Sequence, residues 1–448
     1  MSCTPNAEIF YGGDLRDDIM LARMGLAPAE SSIARRCKIT HSHWLGWSLP
    51  HFSAARDSRD RPDVFPKHFP ASIEQATATA STSPPAASEP IFNMYTPARA
   101  TARLCQVLRH QQRHRFYSTE TSFTGDHVRI VEVGPRDGLQ NEKKSIPMNT
   151  KLELIHRLAK TGVTTIEAGS FVPEKWVPQM ASTGDILSHL LKSPPKSSHP
   201  IAYNYLVPNV KGLQNLVKIM DAESASPESS TSNTSSKTTT EVSIFAAATD
   251  AFSKANTNCT VDESLERFRP VVSLAKEKNI RVRGYVSVAL GCPYEGPDVS
   301  PHKVAEITAT LLEMGADEVS VADTTGMGTA PRTLKLLQTL SSAGIANNDL
   351  ALHFHDTYGQ ALVNTIVGLE HGIRIFDSSV GGLGGCPYSK GATGNISTED
   401  LIHTVHSLGM RTGINLEEMA RIGDWISSGL GRSNDSRVGK ATLARLQG

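Results

Sequence analysis

The residues of this chain best suited to chemistry are His353-Phe354-His355-Asp356, within Leu350-Ala351-Leu352-His353-Phe354-His355-Asp356-Thr357. Apolar and imidazole positions alternate as they do along a β-strand, whose side chains change face at every residue. His353 and His355 therefore share one face. Two imidazoles converging at a strand end are part of a divalent-metal geometry, although H-x-H alone also recurs by chance. Asp137, in Gly134-Pro135-Arg136-Asp137-Gly138-Leu139-Gln140-Asn141-Glu142, adds a carboxylate. Such a trio leaves positions open for substrate oxygens, as a catalytic cation needs. Asn395 is a candidate amide-oxygen ligand, while Thr393-Gly394-Asn395 on its own reads as a turn. Arg136 offers paired N–H donors to an oxyanion; a surface ion pair is its ordinary alternative. Cys386 stands in Gly381-Gly382-Leu383-Gly384-Gly385-Cys386-Pro387-Tyr388. Glycine there permits close approach to a ligand and loop motion, and the flanking Gly385 and Pro387 argue against a core position.

Such residues need a frame. Strand patterns fit Val128–Val133, Thr164–Ala168, Ile201–Val207, Glu241–Ala247, Arg281–Val288, Glu318–Ala322, Leu350–His355 and Ile373–Ser378. Helical patterns lie between them. One is expected from Thr150 as N-cap, with Glu153 closing a capping box, to Gly162; Thr260 with Glu263 opens another. Ser300-Pro301 starts a third as N-cap and first turn, and Gly315 ends it. About eight strands alternating with helices over about 270 residues is the rhythm of a TIM (β/α)8 barrel, an α/β fold. A doubly wound open sheet is the alternative, but G-x-G-x-x-G is absent after the first strand. In a barrel the chemistry lies at the C-terminal ends of the strands. Arg136 and Asp137, Glu167, Tyr285 and Ser287, Asp323, the two histidines and Asp377 all fall in or just after strands, where a charge is costly unless paired or metal-bound.

Lys and Arg total 45, as do Asp and Glu, so no basic surface for nucleic acid or membrane is implied. Six cysteines without a C-x-x-C pair fit a reducing compartment and exclude a zinc ribbon. Residues 1–93 are rich in Ser, Ala, Pro and His and are expected to form a disordered N-terminal extension. Residues 94–120 read as a mitochondrial presequence: from Met94 to Thr119 there is no acid, and Arg99, Arg103, Arg109, Arg113 and Arg115 accompany one apolar helical face. Arg115-Phe116-Tyr117-Ser118 resembles a processing site, which implies a functional start near Met94 and a mature chain from about Ser118. The barrel is assigned to 125–430, with a Ser/Thr-rich insertion at 221–240 that takes no part in catalysis and a C-terminal tail at 431–448.

The Arg136-Asp137 and Cys386 segments resemble the two hallmark stretches of the hydroxymethylglutaryl-CoA lyase family. Ser170-Phe171-Val172-Pro173-Glu174-Lys175-Trp176-Val177-Pro178-Gln179-Met180 and Gly291-Cys292-Pro293-Tyr294-Glu295-Gly296 resemble others, so the likeness spans about residues 127–430. It implies metal-dependent cleavage of 3-hydroxy-3-methylglutaryl-CoA to acetyl-CoA and acetoacetate, in leucine degradation and ketone-body formation. It further implies Mg²⁺ or Mn²⁺ on Asp137, His353, His355 and Asn395. Catalytic roles fall to Cys386, Arg136 and Glu167, and substrate contacts to Arg136 and Gln140. Lys143, Lys144 and Lys390 are loose candidates for CoA phosphates. A homodimer is the expected assembly, placed in the mitochondrial matrix by residues 94–120, or in the cytosol if translation starts at Met1. The chain departs from the family before Met94, at 221–240, and in lacking any cysteine after Cys386, so the terminal regulatory thiol of some animal members is not expected. A carbon-joining synthase of the same superfamily, a metal-dependent barrel hydrolase and a non-catalytic binding protein are the competing readings.

Overall fold

Eight parallel strands close into a barrel among the described residues, which in this computed structural model are 126–225, 238–385 and 394–447. In chain order they are β1 (Arg129–Glu132), β2 (Thr165–Ser170), β3 (Ala202–Leu206), β4 (Thr239–Ala247), β5 (Arg281–Ser287), β6 (Glu318–Asp323), β7 (Leu350–Phe354) and β8 (Ile375–Ser378). Each pairs with the next, and β8 returns to β1 with Val131 opposite Asp377. The strands expected from the alternation are all present, which decides for the TIM barrel over the open sheet. The extension 1–93, the presequence segment 94–120, Cys386 and Lys390 lie outside the described residues.

The helices are α1 (Met148–Leu158), α2 (Thr183–Lys192), α3 (Val210–Ser224), α4 (Asp250–Thr257), α5 (Val261–Glu277), α6 (Pro301–Met314), α7 (Ala330–Ser342), α8 (Ala361–Glu370), α9 (Thr398–Ser407), α10 (Leu416–Leu430) and α11 (Arg437–Gln447). Their apolar stripes bury residues such as Leu154, Ile155, Val271, Leu311 and Leu340 against the outside of the barrel in one continuous core. The capping box of Thr260 and Glu263 forms as expected on α5, and Gly315 ends α6 with φ 118. Among the described helices, none is long and apolar enough to cross a membrane.

Three boundaries need correction. α1 begins at Met148 with Pro147 before it, so Thr150 lies inside the helix and caps nothing. The Pro147 carbonyl takes the N–H groups of Thr150 and Lys151, and Glu153 pairs instead with Arg157 one turn on, at 2.7 Å. The insertion is shorter than 221–240, because residues 221–224 finish α3 and Thr239 already pairs with Ala202 in the sheet. The supposed tail contains α11: Asp400 on α9 accepts from Ser436 Oγ and Val438 N–H at 2.8 Å each, ordering the helix from a distance in sequence.

Among the described residues, one β-branched side chain sits on a strained backbone. Val288, β-branched and buried just beyond β5, has φ 54, a conformation that costs on the order of 1–3 kcal/mol. Its N–H donates to Thr324 Oγ1 at 2.9 Å, so the β5 and β6 rims hold it there.

The α3-to-β4 connection enters the sheet at the strand starts, the barrel face opposite the site described below. Loop length changes closure entropy by only about 0.6 kcal/mol per doubling. Replacing residues 227–236 with a short Gly-Ser linker is expected to leave the melting temperature and turnover unchanged. Aggregation or lost turnover would mean that the segment packs on the barrel.

Candidate metal and catalytic site

Asp137, His353 and His355 converge at the C-terminal rim, offering one ligand atom each within 4.8 Å of one another. β7 supplies His353 as an inward residue, and His355 follows as the strand ends, so the two-residue period does deliver both rings to one side. Their centroids are 5.1 Å apart. Asp137 comes from the tight helical turn Gly134–Gly138 directly after β1. Its Oδ2 lies 3.8 Å from His355 Nε2. Burial alone would raise the Asp137 carboxyl, but the Arg136 guanidinium beside it, helped by the neighbouring imidazoles, outweighs this and holds the acid well below its usual range. Burial lowers the His355 pKa, which favours the neutral, ligating imidazole.

Asn395 joins the cluster. Its Nδ2 donates to Asp137 Oδ2 at 2.8 Å and to the Leu383 carbonyl at 3.1 Å. Both partners are acceptors, so chemistry fixes which end of the amide faces them. Asn395 Oδ1 remains buried without a hydrogen-bond partner. Orphaned buried acceptors are costly unless something electropositive meets them. A carboxylate, two imidazoles and a spare amide oxygen therefore suit a divalent cation.

Arg136 lies against this cluster, almost buried. Its Nε donates to Glu167 Oε2 at 2.7 Å, one terminal nitrogen pairs with the same oxygen at 2.6 Å, and the other donates to Asp137 Oδ1 at 2.7 Å. A guanidinium has five N–H donors, and three are used here, so two remain for a substrate oxyanion. Burial works against its charge, yet Glu167 and Asp137 more than offset this and secure the proton. Glu167, fully buried on β2, also accepts from Ser243 Oγ at 3.2 Å and Tyr285 OH at 3.3 Å. Burial pushes its carboxyl up, and Arg136 pulls the other way.

Of the remaining expected residues, Gln140 is half-buried immediately after the Asp137 turn, and Lys143 and Lys144 are exposed beyond it. The root of the Cys386 segment is described: Gly381, Gly382, Gly384 and Gly385 have φ of 65, 63, 124 and 158. Side chains avoid these angles, which accounts for the glycine run. Asn141 Nδ2 donates to the Gly385 carbonyl at 2.7 Å, tying this root to the Asp137 turn.

Sequence reasoning passed over the interior beneath the rim. Arg283, Glu318 and Arg129 carry an ion-pair web up from the strand starts. A charged residue buried within a strand, as Arg283 in Val282-Arg283-Gly284-Tyr285-Val286, was the available signal. Its partner lay too far along the chain to be guessed.

Comparison with known proteins gives the fold relatives. The profile of the HMGL-like family matches residues 127–426. The cytoplasmic 3-hydroxy-3-methylglutaryl-CoA lyase of Rattus norvegicus is 44% identical over 331 residues, 74% of this chain and 89% of that protein. The mitochondrial hydroxymethylglutaryl-CoA lyase of Mus musculus is 47% identical over 315 residues, 70% of this chain and 89% of that one. The crystal structure of the hydroxymethylglutaryl-CoA lyase from Pseudomonas aeruginosa superposes with a TM-score of 0.64 at 45% identity, covering 71% of this chain and 98% of its own.

Two further carboxyls stand behind the glycine turn. Glu132 Oε1 accepts from the N–H groups of Gly134 and Val380 at 2.8 and 3.0 Å, and Oε2 from Thr398 Oγ1 at 2.6 Å. Glu399 accepts from the Gly381 N–H at 2.9 Å. Burial, only partly opposed by these donors, pushes Glu132 up to about 7 and Glu399 to about 8. Folding thus favours the protonated acid. The Glu399 contribution is full below its ordinary value of 4.5 and is lost as pH rises through about 8. Relative to wild type, Glu399→Gln should therefore gain melting temperature steadily between pH 5 and 8 and level off above that, measured by calorimetry. A difference independent of pH would show that Glu399 is ionised throughout.

Proposed function

The chain belongs to the HMGL-like family, and on that premise we propose that it is a lyase cleaving 3-hydroxy-3-methylglutaryl-CoA to acetyl-CoA and acetoacetate. The observation that carries this reading is the pairing at one rim of a carboxylate–imidazole cluster with a buried arginine that has two free N–H donors. The substrate is a β-hydroxy thioester. Removing the proton of its tertiary hydroxyl lets the bond between C2 and C3 break, with the electron pair passing to the thioester as an enolate. C3 becomes the ketone of acetoacetate, and a proton delivered to C2 completes acetyl-CoA.

Asp137, His353, His355 and Asn395 would hold Mg²⁺ or Mn²⁺. When bound, such a cation lowers the pKa of the substrate hydroxyl and orients its oxygens. Arg136 turns its spare donors to the enolate oxygen. Glu167 grips Arg136 from behind, so that the guanidinium is in place before charge develops. Cys386 is assigned the proton transfers at the reacting carbons, and Gln140 the acyl carboxylate. A synthase of the same superfamily would run in the opposite sense, and the Cys386 loop argues against it.

Supplying the purified protein with the thioester and Mg²⁺ should give acetoacetate and acetyl-CoA in equal amounts. Free CoA with intact hydroxymethylglutarate would instead mark a hydrolase, and no product would end the assignment. Cys386→Ala is expected to lower kcat by about 10²–10⁴-fold, the usual worth of a positioned acid or base, with Mn²⁺ binding and melting temperature retained. Near-normal turnover would remove the cysteine from the chemistry.

The acid-free, Arg-rich stretch 94–119 supports a mitochondrial matrix address, and a homodimer is the assembly we assign. Protein isolated from mitochondria should begin near Ser118 on N-terminal sequencing. A cytosolic protein with its terminus within residues 1–90 would refute this address.

A further inference from the structure

We propose that Asp377 is a positioning residue for His353, fixing the imidazole as the tautomer protonated on Nδ1 so that Nε2 keeps its lone pair for the cation, and that Arg283 holds Asp377 in this role. The inference rests on the reading of Asp137, His353 and His355 as a divalent-cation site and gives its two imidazoles different duties.

β7 and β8 place His353 directly opposite Asp377. Asp377 Oδ2 lies 3.2 Å from His353 Nδ1 and accepts from Ser320 Oγ at 2.9 Å. Its Oδ1 accepts from Arg283 at 2.6 Å. A guanidinium at that distance, with both groups out of water, keeps the acid ionised, and an ionised carboxylate can only accept. The proton between Asp377 and His353 therefore belongs to Nδ1, and Nε2 is the nitrogen left over. Three donors occupy the two Asp377 oxygens, which explains why this acid, one strand from the cluster, is not itself among the ligands. A carboxylate behind a ligating histidine orients the ring and raises its basicity.

Arg283 cannot swing away to release Asp377. Its Nε donates to Glu318 Oε1 at 2.8 Å and a terminal nitrogen to Tyr285 OH at 2.7 Å. Glu318 is gripped from the strand starts by Arg129 and Arg281. The result is a continuous line of alternating charge from the barrel floor to His353. His355 has no such support, since its Nδ1 lacks a hydrogen-bond partner. One ring is thus fixed before any cation arrives.

The test reads the tautomer in metal-free protein and Mn²⁺ affinity separately. With histidine ¹⁵N-labelled and the His353 signals assigned by their loss in His353→Gln, wild type should show Nδ1–H for His353. Asp377→Asn should shift it toward Nε2–H and weaken Mn²⁺ binding about 10–100-fold by paramagnetic-resonance titration, the usual cost of losing such a partner. Ser320→Ala, which spares the Asp377–His353 bond, should keep the tautomer. A purely structural web would leave the His353 tautomer indifferent to Asp377. If Asp377→Asn does not fold, the wild-type tautomer decides: Nε2–H overturns the proposal. Wild-type Mn²⁺ affinity in Asp377→Asn overturns the positioning role alone, whereas wild type failing to bind Mn²⁺ overturns the cation-site reading and this inference with it.

Discussion

Arg136 and Arg283 are guanidinium groups enclosed by protein, and the interior of the barrel is arranged around the need to answer their charge. An arginine cannot shed its proton, so burying it demands carboxylates at contact distance. Glu167 and Asp137 answer Arg136, and Asp377 and Glu318 answer Arg283. Removing one partner from such a pair strands the other at a cost of about 3–5 kcal/mol. Apolar side chains commonly fill barrels of this type. Here Ser243, Tyr285 and Ser320 take such places and hydrogen-bond to Glu167, Arg283 and Asp377. Tyr285 shows the economy of the arrangement: its hydroxyl accepts from Arg283 and donates to Glu167, linking the two charge systems.

Much of this was legible in the sequence. Strand period and helix signals marked the eight strands, and the rule that barrel chemistry lies at strand ends gathered Arg136, Asp137, Glu167 and the histidines before any geometry was known. His353 and His355 were readable because their relation is local. The turn residue Asn395 was ambiguous for the opposite reason: its partner Asp137 is on the far side of the chain. Resemblance, not spacing, singled it out.

What was illegible follows from the same division. Thr150 followed by Glu153 satisfies a capping pattern, but the helix already starts at Met148 behind Pro147, which puts Thr150 inside its first turn. α11 looked like a tail because its glycine and scattered charges make a weak helix; Asp400 supplies what the segment lacks. Glu132 and Glu399 were invisible as a pair. They serve backbone N–H groups of the Gly134 and Val380–Gly381 turns, and no side-chain pattern announces a bond to a backbone.

Barrel closure is what turns these separate pieces into a site. Asp137 follows β1, His353 belongs to β7, and β8 lies between those strands, hydrogen-bonded to both. Asn395 and Asp137 meet only because β8 has returned to β1. A barrel lacking the β1–β8 pairing would keep His353 and His355 together but apart from Asp137. A cation that prefers hard oxygen donors therefore has little to bind until closure is complete. Whatever binds the native state alone stabilises it by mass action, so a cation at the proposed site would reinforce closure of the β1–β8 seam. The ion-pair line beneath, which crosses from Arg129 on β1 to Glu318 on β6 and through Arg283 on β5 to Asp377 on β8, reaches the same seam from inside. The site and the closure of the barrel thus depend on the same few strands.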